Sequence, residues 1–208
     1  MSAFVVVGGA GRTGRRVCER LVRGGHDVVV ASRRAGTPLD LTGDPDPAVF
    51  TGAAGAVVVV EPPREPEAAE AAMHHGVAAI ARIAAKAGFP VVLVSQIYVT
   101  RAPEHPDMRT RIEARARGEQ ALRDAGARYA IVRPSWLHDL PAAGVRIEQG
   151  DTGEGRISRD AVADAVVAAL FDPTAWGKTF ELYDDEESSR PEWTSVFPAL
   201  HHDRSDVD

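Results

Sequence analysis

Three observations predict an open, doubly wound α/β fold with a parallel sheet and a small C-terminal lobe. Short Val-rich runs alternate with helix-like segments. The runs are apolar throughout instead of alternating with polar residues, as in strands buried on both faces. The first run opens into Gly8-Gly9-Ala10-Gly11-Arg12-Thr13-Gly14 and then a helix, the setting of a Rossmann-type βαβ unit.

The elements follow in order. Residues 3–7 form a strand and 12–23 a helix, in which Val17 and Leu21, and Cys18 and Val22, fall four apart and share one face. Gly24-Gly25 ends that helix, and residues 28–31 are a second strand. Residues 33–47 are Gly-, Pro- and Asp-rich loop, with a rudimentary strand near Leu39. A buried strand at 56–60 stops at Pro62-Pro63, and an Ala-rich helix at 66–87 ends on Gly88. Strand 91–94, helix 108–124 and strand 129–132 follow, with Gly126 closing the helix.

Past Pro134 the texture changes to short segments between glycines 144, 150, 153 and 155. Ser158 reads as the N-cap of a helix over 159–170, with Val162, Val166 and Leu170 on one side. A last strand falls at 178–183. The expected organisation is one domain over 1–183, with 134–183 as a small substrate lobe. The Pro-, Ser- and His-bearing stretch 184–208 is expected to be a weakly ordered tail.

Composition narrows the partners. A chain of 208 residues suits a single domain. Its net charge of -6 repels a polyphosphate backbone, so no nucleic-acid partner is expected. No apolar stretch approaches the roughly 18 residues of a membrane helix. Cys18 is the one cysteine, so no intrachain disulfide and no cysteine zinc site can form. Cys18 lies on the apolar face of the first helix and reads as core. A cytoplasmic protein acting on a small molecule is expected, with the oligomeric state open.

The glycine stretch points to a dinucleotide. Gly8 permits the tight turn, Gly11 lets a pyrophosphate approach the backbone, and Gly14 lets the helix pack on the sheet. Free N–H groups and the helix dipole then favour phosphate, with Arg12 and Thr13 adding side-chain contacts. An NAD site wants an acidic residue after the second strand to hold the ribose 2′-hydroxyl. This chain has Ala31-Ser32-Arg33-Arg34 there, and two guanidiniums and a hydroxyl suit a 2′-phosphate. The expected cofactor is NADP(H). Asp40 and Leu41 read either as adenine contacts or as an ordinary polar turn. Glu61, and Ser95 to Tyr98, follow strands at the carboxyl edge where ligands sit, although capping and turn duties compete there.

The segments GGAGRTG, ASRR, DLTG, VVLVSQ, GEQALRDAG and YAIVRPSWL resemble the atypical short-chain dehydrogenase/reductase superfamily. Within it they are similar to the NmrA-like and biliverdin-reductase-B-like NAD(P)-binding proteins, as is the segment from Gly155 to Leu182. The resemblance spans residues 4–183. It implies that Gly8, Gly11, Arg12, Thr13 and Gly14 hold the pyrophosphate, Arg33 and Arg34 the 2′-phosphate, and Asp40 and Leu41 the adenine. It places Ser95 and the stretch 133–136, with Pro134, beside the nicotinamide.

One departure matters. Active members usually pair a Tyr with a Lys four residues later. Here Tyr98, Tyr129 and Tyr183 are followed at that spacing by Ala102, Arg133 and Glu187. Aligned on Glu119, the lysine's place falls to Arg115, which suits ribose or phosphate but is a poor proton relay. The candidate catalytic residues are therefore Ser95, Tyr98, Arg115 and His138. The arginines of 109–117 read as a solvated helix face. No metal site is expected, since adjacent histidines such as His74-His75 point about 100 degrees apart on an α-helix. Three functions fit: an oxidoreductase passing hydride to a quinone, flavin or carbonyl; a non-catalytic NADP(H) sensor; or a cofactor-retaining isomerase or tailoring enzyme.

Overall fold

The computed structural model describes residues 3–203. Its strands are β1 (Ala3–Val7), β2 (Val28–Ser32), β3 (Thr37–Pro38), β4 (Ala53–Val58), β5 (Val91–Val94), β6 (Tyr129–Pro134), β7 (Trp136–His138), β8 (Val145–Glu148), β9 (Arg156–Ser158) and β10 (Lys178–Asp184). Its α-helices are α1 (Arg12–Arg23), α2 (Pro66–Glu70), α3 (Val77–Ala87), α4 (Arg109–Asp124), α5 (Arg159–Phe171) and α6 (Trp193–Ala199). A π-helical stretch, Ala71–Gly76, joins α2 to α3.

Among the described residues one eight-stranded sheet runs β3-β2-β1-β4-β5-β6-β10-β8. Its pairings are parallel except β8, which lies antiparallel on β10. The doubly wound α/β fold read from the sequence is the one observed. Strand order reverses between β1 and β4, the switch point at which such sheets bind ligands.

Period-two alternation sends each strand's residues to two cores. Phe4 and Val6 join Val17, Leu21, Val162 and Val166 under α1 and α5. Val5 and Val7 join Ile80, Ala84 and Leu122 under α3 and α4. Each fully buried aliphatic side chain contributes about 1.5–3 kcal/mol. Ser158 caps α5 as read, its Oγ accepting the Asp160 N–H.

Four details differ from the sequence reading. Val22 is 60% exposed, because α1 buries only the arc holding Val17 and Leu21. The strand placed at 56–60 is Ala53–Val58, and the Ala-rich helix is interrupted by its π-helical stretch. The segment 134–183 is not set apart as a lobe: α5 packs along α1, and β10 is buried in the main sheet. Among the described residues, only β7 and β9 form a separate, two-stranded sheet.

The tail is also more ordered than its composition suggests. Residues 204–208 of it lie outside the described residues, but α6 seats Phe197 fully in the core and Lys178 donates to the Phe197 carbonyl at 2.6 Å. The Asp203 carboxylate accepts from the Thr179 N–H (2.9 Å), the Thr179 hydroxyl (2.7 Å), the Tyr129 hydroxyl (3.0 Å) and Arg123 Nε (3.0 Å). These anchors are long-range side-chain bonds, which leave no periodicity in the sequence.

Asp203→Ala is expected to destabilise the protein by about 2 kcal/mol, since hydrogen bonds to a charged group are worth about 1.5–3 kcal/mol each and water replaces part of the loss. The exposed Arg190→Ala is expected to stay within about 0.5 kcal/mol. Urea unfolding of both variants measures the difference, and equal midpoints would remove Asp203 as the anchor.

Candidate functional site

The site grows from a backbone constraint at the end of β1. Gly8 has φ of +84°, a left-handed conformation, and a Cβ there would lie 2.2 Å from the Val59 carbonyl oxygen. A Cβ on Gly14 would lie 2.2 Å from the Gly8 carbonyl oxygen. These two glycines let β1, the residues after β4 and the first turn of α1 meet backbone to backbone. Gly11 differs: its φ of -74° suits any residue, and the nearest atom to an added Cβ is the Gly8 oxygen at 3.1 Å. Gly11 lines the cleft and is the N-cap of α1 with no side-chain cap, and the first turn has no acidic residue. That end of the helix therefore offers unpaired N–H groups and a positive dipole end to an anion.

A cleft of about 490 Å³ opens there, along the carboxyl ends of β1, β4, β5 and β6. Gly11, Arg12, Thr13, Gly14, Glu61, Ser95, Tyr98, Arg115 and Pro134, all read from the sequence, line it together. Gly8 lies beneath the turn. Ser95 and Ser135 are buried, and neither hydroxyl has a partner among the described residues. The Arg115 guanidinium donates to the Val94 carbonyl (3.2 Å) and the Val60 carbonyl (3.3 Å), while its Nε is buried and unpartnered. Burial pushes its pKa below the usual guanidinium value, Glu61 and Glu119 oppose that, and Arg111 adds to it.

Ser32, Arg33 and Arg34 follow β2, one strand over. The Ala31 carbonyl accepts the Gly8 N–H at 2.8 Å, which ties that strand end to the glycine turn. The Ser32 hydroxyl closes its own turn with Ala35. Arg33 and Arg34 are exposed, and neither guanidinium has a hydrogen bond or ion pair among the described residues. Asp40 behaves as a turn residue: its carboxylate accepts the Thr42 N–H and hydroxyl, and the backbone bond leads the causes that hold its pKa below the usual carboxylate value. Leu41 is buried beside Gly76 and packs into the core, not against an open ligand surface.

Two candidate catalytic groups are committed elsewhere. Tyr98 lines the cleft, but its hydroxyl bonds Glu154 and accepts Trp136 Nε1–H at 3.1 Å. Burial first, then that carboxylate, pushes the phenol's pKa up. Its backbone is left-handed, φ +74°, held by its N–H donating to Asp151 at 2.6 Å. His138 does not line the cleft. Its Nδ1 accepts the Leu140 N–H at 3.1 Å, which leaves the proton on Nε2 for Asp184.

Sequence reasoning missed several cleft residues. Arg133 is not beside the cleft but in a buried network, donating to Glu119 (3.0 and 2.6 Å) and Glu181 (3.1 Å). Those carboxylates push its pKa up against the opposing effect of burial. On α4, Arg109 and Arg117 are solvated as expected, paired with Glu113 and Glu70. Arg111 instead faces the cleft, one turn from the already expected Arg115. The signal was the four-residue spacing, which puts both on one side of the helix. Arg159 also lines the cleft. It meets Arg12 and Arg16 on the Asp139 carboxylate, at 3.1, 3.2 and 3.1 Å.

His74 and His75 do not diverge as they would on a regular α-helix. They lie in the π-helical stretch, where their rings stack 4.5 Å apart, and one ligand atom from each falls within 4.8 Å of a Glu70 oxygen. Glu70 is already engaged by Arg117 and by His74 Nδ1 at 2.7 Å. Those bonds outweigh desolvation, Arg117 first, in holding its pKa down. No helix among the described residues is long and apolar enough to cross a membrane.

Comparison with known proteins agrees with this geometry. A chloroplastic protein of Arabidopsis thaliana is 34% identical over 89 residues, 42% of this chain, and the match spans about a third of that protein (32%). A putative NAD-dependent epimerase/dehydratase of Bacillus halodurans superposes with a TM-score of 0.81 at 20% identity, over 96% of this chain and all of that one (100%). A short-chain dehydrogenase/reductase superfamily protein of Agrobacterium tumefaciens, solved with bound NAD, superposes with a TM-score of 0.70 at 17% identity, over 94% of this chain and 81% of that one. Residues 8–173 match the NAD(P)H-binding family. The match begins at the first glycine of the β1–α1 turn and covers most of the chain, and the protein belongs to that NAD(P)H-binding family.

Proposed function

We propose that the protein binds NADP(H) across the carboxyl edge of the sheet and passes hydride to a small organic acceptor in the cleft. The observation that carries this is the uncapped α1 N-terminus, which opens into a cleft at the switch point. The residues present fit the cofactor. Gly11 leaves room for a pyrophosphate, and Arg12 and Thr13 flank it. Arg33 and Arg34 supply two guanidiniums, unpaired among the described residues, where a 2′-phosphate would lie, with no acidic residue on β2 to favour a bare ribose.

Bound there, the nicotinamide supplies a hydride. The chain's own contribution is binding, orientation and charge. Arg115, fixed by two strand-end carbonyls, lines the cleft with a positive charge. The Ser95 and Ser135 hydroxyls offer donors with no competing partner among the described residues. No phenol with a lysine one turn later stands ready to give a proton. Acceptors needing little acid assistance, such as quinones and flavins, match that supply. A non-catalytic NADP(H) sensor is the second reading, favoured by the engagement of both Tyr98 and His138 by carboxylates. NADPH turnover with a panel of quinones, flavins and carbonyls separates the two: oxidation supports the enzyme, and tight binding without oxidation supports the sensor.

NADPH is expected to bind more tightly than NADH by about tenfold to a hundredfold, the equivalent of about 1.5–3 kcal/mol from one charged hydrogen bond. Replacing both Arg33 and Arg34 by Ala should remove most of that preference. Equal affinities in the unmodified protein would refute the assignment.

Tyr98→Phe is expected to cost less than about tenfold in kcat/KM with the best acceptor, because a phenol whose pKa is pushed up and whose proton is given to Glu154 is a weak acid toward substrate. Its pH–rate profile should keep the limbs of the unmodified protein. A loss beyond about a thousandfold, with the basic limb gone, would make Tyr98 the proton donor.

A further inference from the structure

The cleft holds two groups of arginines, and only one lies by the glycine turn. Arg12, Arg111, Arg115 and Arg159 line it against a single carboxylate, Glu61, in a chain whose net charge is -6. Arg12 and Arg159 converge on Asp139 near the N-terminus of α1. Arg111 and Arg115 stand on the opposite wall, one turn apart on α4.

The α4 pair is unbalanced in a way its neighbours are not. Arg109 and Arg117, on the same helix, each hold a glutamate, Glu113 and Glu70. Arg111 has no hydrogen bond or ion pair among the described residues, although it is only partly exposed. Arg115 is 8% exposed and its Nε is buried without a partner. Like charges four apart on a helix repel, and Arg111 is among the groups that depress the pKa of Arg115. Glu61 acts on Arg115 through space but makes no ion pair with either arginine. An oxyanion seated at the Arg111 guanidinium, within reach of the Arg115 charge, would relieve the repulsion. A guanidinium's planar fork matches a carboxylate in particular. Tyr98, Met108, Trp136 and Leu137 add apolar and aromatic lining to the same cleft.

We infer that Arg111 and Arg115 form an anion subsite for the acceptor, and that the acceptor is an organic carboxylate with a flat apolar body. This deepens the NADP(H) reading by naming the substrate class of the same cleft. Arg111 carries specificity, because its guanidinium has no other partner among the described residues; Arg115 is shared with the strand-end carbonyls. The acceptor's ring rests on the Trp136 and Met108 side while its carboxylate meets Arg111.

The test uses benzoate and its neutral isostere benzamide, titrated by calorimetry into the full chain, once saturated with NADP+ and once without cofactor. Benzoate should bind at least about tenfold more tightly than benzamide, the fold-change expected of one charge-assisted hydrogen bond. Arg111→Met, which keeps the apolar stem, should bring benzoate down to the benzamide level. Circular dichroism and NADP+ affinity should stay as in the unmodified protein. Equal binding of the two probes, absence of benzoate binding, or discrimination that survives in R111M each overturns the inference. Failure of NADP+ to bind the unmodified protein would instead sink the cofactor reading, and the cofactor-free titration would still decide the anion subsite.

Discussion

The contact on which the site depends is backbone against backbone at the β1–α1 turn. Gly8 passes so close to the Val59 carbonyl, and Gly14 to the Gly8 carbonyl, that no side chain fits at either position. That approach brings β1, the end of β4 and the start of α1 to one point at the switch in strand order. It also aims the uncapped end of α1 into the cleft. An ordinary residue at Gly8 or Gly14 would separate the helix from the strand, and the cleft floor would go with it.

Charge is arranged around this point in two layers. Below the cleft, Arg133 is neutralised by Glu119 and Glu181, which binds β6 to α4 and β10. Breaking one member of such a buried group leaves an uncompensated charge, so the network resists change more than its net contribution to stability implies. Along α1 and α5, Arg16 and Arg20 meet Asp160 and Asp164, which fixes the helix carrying the glycine turn against its neighbour. Within the cleft, by contrast, the arginines outnumber the carboxylates. Arg12 and Arg159 still share Asp139, so the uncompensated charge in the cleft is that of the α4 arginines.

The sheet was legible because strands buried on both faces must be continuously apolar, and because the glycines needed a strand before them and a helix after. Part of the cleft lining was legible for the same reason: Gly11 to Gly14, Glu61, Ser95 and Pro134 follow strand ends by necessity. What stayed hidden depends on contacts between distant residues. The buried Phe197 and the bonds of Asp203 order a tail whose composition suggests the opposite. The commitment of Tyr98 to Glu154 and of His138 to Asp184 spans 56 and 46 residues. Leu41, open in sequence between an adenine contact and a turn residue, is buried under Gly76. Arg115 stood out only through the family's helix pattern, while Arg111 looked like Arg109 and Arg117, and helix phase against the sheet is what turns it to the cleft.

The central claim is that the turn after β1 holds the dinucleotide, and Gly11 tests it most directly. Its backbone suits any residue and its Cβ position is open except for the Gly8 oxygen, so Gly11→Val should fold. The valine side chain would then occupy the space a pyrophosphate needs. The measurement is an NADPH titration and a circular dichroism spectrum on the same sample. The account predicts a native spectrum with cofactor binding abolished; a native spectrum with NADPH affinity unchanged would contradict it and place the phosphates elsewhere.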